Sequence, residues 1–426
     1  MIDLGPFPDQ PGYDEARSLD EADPLRFFRD RFVITDPDLI YLDGNSLGRL
    51  PKATSELLPR VVDREWGDRV IRSWNDEWWD LQLRLGDKLA GILGAGPGEV
   101  IVSDSTSVNL YKLALAAVES AGPGRSRIVT DDMNFPTDVY VLDGVARSSG
   151  GELVVVPVDP ESDPDAAIAA AVDKRTALVS LSHTSFKSGY TYDMAAVTGA
   201  AHEVGALVLW DCSHSVGALP IDLEACGVDL AVGCTYKYLN GGPGSPAWLY
   251  ARRPHQERLA NPIPAWWGHA EPFAFDLGFR PVDGIRRFHT GTMPILSLAA
   301  IEPGIDIVIE AGTELIRAKS LALSDFLIAQ ADEHLAPLGL EVASPRRPEV
   351  RGSHVSLANQ DAWPITKAMI ELAQVIPDFR TPDNIRLGLA PLYTEFLDIH
   401  TAVHRIRALV ESRAYLAYIG ATAVVT

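Results

Sequence analysis

Between residues 98 and 250, short apolar runs rich in β-branched residues alternate with amphipathic or alanine-rich stretches. The runs are VIVSD (100–104), SRIVT (126–130), ELVVVPV (152–158), ALVSLS (177–182), ALVLWD (206–211), DLAVGC (229–234) and PAWLYA (246–251). Each is nearly continuous rather than alternating in polarity, the pattern of strands covered on both faces. After VIVSD, Leu110, Leu113, Ala114 and Ala117 recur at i, i+3, i+4 and i+7, which predicts a helix with one apolar face. The rhythm as a whole predicts an α/β fold, a mostly parallel mixed sheet with helices on both sides.

Beyond about residue 310 the pattern changes to a long helix, two or three strands (LEVASP, HVSLAN, NIRLGLA) and further helices, interrupted by SPRRPEVRG. This predicts a smaller α+β domain. LIYLDGNSLGRLP, near the start, reads as a short strand, a Gly/Asn/Ser turn and a helix entry. The expected division is 1–45 as an N-terminal segment packing with the small domain, 46–310 as the large domain and 311–426 as the small one.

Composition narrows the function. Lys and Arg number 37 against 58 Asp and Glu, a formal charge of -21, so the chain lacks the basic footprint that nucleic acid or an anionic membrane surface demands. No run approaches a spanning helix, and the acidic start MIDLGPFPDQ does not resemble a signal peptide, which points to the cytoplasm and to small-molecule partners. Cys212, Cys226 and Cys234 have no CxxC spacing and read as buried thiols. The i,i+4 pair His400 and His404 reads as a solvated helix face, and no metal is expected.

Chemistry enters with Asp211, which ends ALVLWD, and Lys237, 26 residues later in TYKYLNGGPGSP. In an open α/β sheet both would converge at the carboxyl ends of strands, where ligands bind. Pyridoxal phosphate needs this pair: a lysine amine for its aldehyde and a carboxylate that keeps the pyridine nitrogen protonated. An isolated Asp and Lys more often just end a strand or a turn. Here Tyr236, Tyr238 and the GGPGS run surround the lysine, and SDSTSVNL places Ser105, Thr106 and Ser107 at a helix start suited to phosphate. That junction would also serve as a plain N-cap, and Phe135 in DDMNFPTDVY would stack on an aromatic cofactor or simply fill core.

Together YLDGNSLGRLP, IRSWN, STSVNL, NFPTD, DCSHSVGALP, GCTYKYLNGGPGSP, WWGHAEPFAFD and NIRLGLAPLY resemble kynureninase, in order and over roughly residues 30 to 400. This family belongs to the fold type I, aminotransferase class V enzymes. The resemblance implies hydrolysis of L-kynurenine, and of 3-hydroxykynurenine as a related substrate, to an anthranilate and L-alanine in tryptophan catabolism. It makes Lys237 the Schiff-base lysine, Asp211 the pyridine partner and Tyr236 the group moving protons around the hydrated carbonyl. Thr106, Ser107 and Tyr236 would hold the phosphate, joined across a homodimer interface by Trp266 and Thr292. Phe135 would stack on the ring, with His214, Asp138 and Ser182 in the cofactor shell. Arg386 would bind the substrate carboxylate, a role its planar fork suits, and Trp74, Gly291 and Asn45 would contact the substrate.

Two segments depart from the family pattern, AWWGH for a GWFGH-like run and RRFHTGTMP for one containing CGT. Both lie near the phosphate and aryl ends of the site that the resemblance implies, and bear on the preferred aryl group. With Trp74 apolar and Gly291 bare, kynurenine is expected to be preferred over its 3-hydroxy form, unless Thr290, Thr292 or His289 meets the added hydroxyl. Against a desulfurase on the same fold stands the lack of any cysteine after Cys234. An aminotransferase would form keto acids with a second amino acid, and a silent cofactor-binding regulator would not need Lys237, Tyr236 and Arg386 together.

Overall fold

The computed structural model describes residues 4–422. A short strand, β1 (Ile40–Tyr41), precedes seven strands formed by the seven apolar runs: β2 (Val100–Val102), β3 (Arg127–Asp131), β4 (Glu152–Val156), β5 (Thr176–Ser182), β6 (Leu207–Asp211), β7 (Leu230–Gly233) and β8 (Trp248–Ala251). They make one sheet in the order β2-β8-β7-β6-β5-β3-β4. Pairing is parallel from β4 through β7, and β8 runs antiparallel to both β7 and β2. The carboxyl ends of β2, β3, β5, β6 and β7 therefore share one edge.

Successive residues of these strands enter opposite cores, as the two-residue period requires. Ile101, Leu178, Leu209 and Leu230 join the helix Thr106–Glu119 on one face, where Leu110, Leu113, Ala114 and Ala117 are fully buried. Val102, Val179, Val208 and Trp210 enter the core on the other face. β4 departs from the expected double burial because it is the edge strand, and Val155 on it is exposed.

A separate core gathers around a four-stranded antiparallel sheet of order β12-β13-β10-β9. Its strands are β9 (Glu341–Val342), β10 (His354–Ala358), β12 (Asp378–Arg380) and β13 (Asn384–Gly388), with β11 (Val375–Ile376) lying apart and pairing parallel to β1. The sequence pattern did not reveal β11 and β12, which are only two and three residues long. Helices Thr313–His334, Ala362–Ala373 and Phe396–Glu411 cover this core, and Ala16, Ile40 and Leu42 are buried in it.

The segment after β1 stitches the two parts together. Gly388 N–H donates to Leu42 O at 2.6 Å, and Gly48 N–H donates to Tyr236 O at 2.7 Å. Two sequence expectations are corrected here. His400 and His404 are buried rather than solvated, their rings 4.4 Å apart and His334 4.9 Å from His404, because the chain around Pro11 and Tyr13 covers that helix face. Of the three thiols, Cys226 is only partly buried.

Candidate active site

The carboxyl edge of the sheet opens into a cleft of about 240 Å³. Asp211 reaches it from the end of β6, and Lys237 from the turn that follows β7. Asp211 Oδ1 accepts from Ser213 N–H at 2.8 Å and Ser213 Oγ at 2.6 Å, and Cys234 N–H donates to Ser213 Oγ at 3.1 Å. One serine thus ties the aspartate to the lysine-bearing turn.

That turn is backed by the N-terminal segment. A Cβ on Gly48 would lie 2.4 Å from Lys237 O, so only glycine lets the two backbones approach this closely. Within the turn, Asn240 N–H donates to Lys237 O at 2.9 Å and Gly241 N–H to Thr235 O at 2.9 Å.

Lys237 Nζ lies 2.9 Å from His214 Nε2. Burial, with Lys237 next in effect, pushes His214 well below the usual imidazole range, so its ring is neutral and can accept a hydrogen bond from Lys237 Nζ. On the other side, burial and the Asp211 carboxylate push Asp138 well above the usual carboxylate range. Two carboxyl groups this close favour a shared proton, and Asp138 Oδ2 is buried with no hydrogen-bonding partner among the described residues. Cys234 beside it, then burial and Asp211, push the Tyr236 phenol up, which keeps it a proton donor.

Thr106 and Ser107 line the cleft from the first turn of Thr106–Glu119, whose cap Ser105 accepts from Val108 N–H at 3.4 Å. First-turn N–H groups have no helical carbonyl and present a donor set to an anion. Phe135 is no core residue: it is 40% exposed on the cleft, edge-on to Phe186 at 5.2 Å. Arg386 is 1% exposed, so it is not in a surface salt bridge. It bonds Phe186 O at 2.6 Å, Ser46 Oγ at 2.7 Å and Asp378.

Thr106, Ser107, Phe135, Asp138, Asp211, His214, Tyr236, Lys237 and Arg386 therefore share one cleft. Ser182 stands behind it, bonded to Asn134 Oδ1 at 2.7 Å. Asn45, next in the chain to the lining Ser46, is fully buried and does not itself line the cleft; a Cβ on Gly388 would lie 1.9 Å from its Oδ1. Trp74, Trp266 and Thr292 line a different cleft of about 860 Å³, walled also by Trp79 and Trp267, and Gly291 is exposed next to Thr292. Of the flanking residues, His289 is fully buried with Nδ1 3.2 Å from Ser103 Oγ, and Thr290 Oγ1 donates to Asp104 at 2.7 Å.

Ser46, Thr137, Ser213 and Arg380 also line the site and were not singled out from sequence. The first three lie inside segments that carried the resemblance. Arg380 had no signal, since the hairpin that brings it to Arg386 rests on the unanticipated β12.

The donor set fits pyridoxal phosphate: an amine beside a neutral imidazole, a buried aspartate pair for a protonated ring nitrogen, and a helix start for the phosphate. The orphaned Asp138 Oδ2 and His214 Nδ1, both buried, are the polar atoms such a group would engage.

Comparison with known proteins agrees. Residues 316–406 match the kynureninase C-terminal domain, and residues 82–231 the DegT/DnrJ/EryC1/StrS aminotransferase family. A kynureninase of Burkholderia pseudomallei (strain 1106a) is 41% identical over 95% of this chain and 97% of its own. One from Pseudomonas fluorescens is 41% identical over 94% of this chain and 96% of its own. Among solved structures, a cysteine desulfurase from Thermococcus onnurineus NA1 superposes with a TM-score of 0.78 at 18% identity, over 91% of this chain and 98% of that one. A C-DES variant with glycine covalently linked to its PLP cofactor superposes with a TM-score of 0.75 at 19% identity, over 87% and 97%.

Proposed function

This chain belongs to the kynureninase family, and we propose that the 240 Å³ cleft is where its own residues carry out the reaction. The enzyme is pyridoxal-phosphate dependent and hydrolyses L-kynurenine to anthranilate and L-alanine, a step of tryptophan degradation. The observation that carries the placement is the convergence of Lys237, Asp211 and Arg386 on one cleft. When bound, the cofactor supplies an electron sink that lets bonds to the substrate's α- and β-carbons break.

The rest falls to the protein. Lys237 Nζ would hold the cofactor at its aldehyde and is placed to take the proton from the substrate α-carbon. Neutral His214 accepts a hydrogen bond from that amine and steadies it. Asp211, with Asp138 holding the shared proton beside it, keeps the ring nitrogen protonated. Thr106, Ser107 and Tyr236 would hold the phosphate and Phe135 would stack on the ring, with Ser182 supporting the shell through Asn134.

Arg386 grips the α-carboxylate and so fixes which carbon faces Lys237. Tyr236 delivers and removes protons at the γ-carbonyl as one water adds there and the Cβ–Cγ bond breaks. Kynurenine and one water thereby become anthranilate and alanine.

The working form is read as a cytoplasmic homodimer. Phe273, Phe275 and Leu277 are all largely exposed beside the aromatic cleft, a cluster of apolar side chains suited to a partner surface. Trp266 and Thr292 on that surface are then offered to the partner's phosphate site, and Trp74, Gly291 and Asn45 are assigned to the substrate end. The chain divides into a cofactor-binding domain at 46–310 and a small domain at 311–426, with 1–45 packing on the latter. Incubating the cofactor-loaded protein with kynurenine should yield anthranilate and alanine in equal amounts, and absence of both would overturn the reading.

A further inference from the structure

Arg386 does not stand alone at its end of the cleft. β12 and β13 pair with Asp378 opposite Arg386, and Arg380, two residues along, projects on the same face as Asp378. Asp378 Oδ2 accepts from Arg386 Nη2, from Arg380 Nη2 at 2.5 Å and from Ser46 Oγ at 3.0 Å. A single carboxylate oxygen thus serves two guanidinium groups, and both line the cleft.

Their donors are not used up. Arg380 Nε and Arg386 Nε are buried and have no hydrogen-bonding partner among the described residues. A buried guanidinium N–H without an acceptor is costly, so the pair is poised for one more. Asp43 lies nearby, and burial, then Asp378, pushes its carboxyl up to about 6. Both guanidinium groups converge on the one carboxylate of Asp378.

We propose that Arg380 is a second guanidinium for the substrate α-carboxylate, with Asp378 as the positioning residue that holds both arginines ready for it. This rests on the reading of the cleft given above. The α-carboxylate supplies a second acceptor to a guanidinium pair that shares one carboxylate and has unmatched Nε donors among the described residues, and Arg380, whose side chain is 31% exposed where Arg386 is 1%, is the half of the pair a substrate meets first. An amino acid without its carboxylate would leave the buried donors unmatched.

The test measures dissociation constants, from the change in cofactor absorption on the loaded enzyme, for kynurenine and for the amine formed by removing its α-carboxylate. Arg380→Gln should weaken kynurenine by about 10- to 100-fold and leave the amine unchanged. Arg380→Lys, which keeps charge but loses the fork, should recover part of the loss. Adding Asp378→Asn to Arg380→Gln should not restore binding. Restoration would mean that Arg380 only neutralises Asp378, and that would overturn the proposal, as would an equal loss for both ligands or none for either. If the unaltered enzyme bound both ligands equally, the carboxylate assignment of Arg386 would fall as well. If Arg386→Leu alone discriminated between them, only the Arg380 proposal would fall.

Discussion

Lys237 sits 2.9 Å from a neutral imidazole, a placement that keeps its amine within reach of one acceptor while leaving the cleft open. Lys237→Ala should abolish turnover and the absorption band of lysine-linked cofactor, even where the phosphate cup still retains cofactor; steady-state rates near normal would exclude it as the reactive amine. Asp211→Ala should lower kcat by orders of magnitude, since the ring nitrogen loses its proton-holding partner, with cofactor affinity falling far less. Retention of full activity would transfer the ring partner to Asp138. Arg386→Leu removes a buried charge and should cost about 2 to 5 kcal/mol in kcat/KM for kynurenine. An unchanged KM would show that the carboxylate goes elsewhere.

Among the elements, the turn carrying Lys237 depends on a glycine far away in sequence. Gly48→Ala would drive a methyl group against the Lys237 carbonyl, and displacing that backbone should cost about 1 to 3 kcal/mol of stability and lower kcat. Thermal melting together with turnover checks this, and a variant equal to the parent in both would show that the segment yields freely. The helix Phe396–Glu411 supplies a pH-sensitive element. Burial, then His400, pushes His404 down to about 4, below the ordinary value near 6.5. The unfolded chain therefore binds this proton more readily than the folded one, so stability from the buried neutral ring is lost as pH falls from about 6.5 toward 4. His404→Phe should flatten the fall in melting temperature over that window, and an unchanged slope would assign the acid sensitivity to other groups.

For the whole molecule, the proposed dimer can be tested at the exposed aromatic surface, where Trp266 and Thr292 lie in a cleft other than the 240 Å³ one. Phe275→Glu combined with Leu277→Glu should shift the enzyme toward monomer in sedimentation and weaken cofactor binding, while an unaltered dimer would place the interface on another face. Substrate choice also belongs to this scale. His289 and Thr290 are engaged with Ser103 and Asp104, which leaves Thr292 as the candidate partner for a ring hydroxyl at that loop. A hydroxyl buried without a partner should make kcat/KM for kynurenine about tenfold higher than for 3-hydroxykynurenine. Equal values, or the reverse order, would refute this preference and leave the family assignment intact.

The seven strands, the helix that follows β2 and the convergence of Asp211 and Lys237 on one cleft were legible in the sequence, because strands of such a sheet need apolar runs and a strand end sets where a side chain emerges. The arginine was legible as a type of group. Its setting was not: burial of Arg386, its sharing of Asp378 with Arg380 and the orphaned Nε donors depend on the hairpin of β12 and β13, whose shorter strand is three residues long. Periodicity needs several residues to register, and so it passes over β11 and β12. The histidines at 400 and 404 were misread for a related reason. A polar i,i+4 pair looks the same in sequence whether water or another segment covers it, and here the chain around Pro11 and Tyr13, some 390 residues away, supplies the cover. Local pattern determined which elements form and which chemistry they carry, while contacts between distant segments decided which of those groups meet.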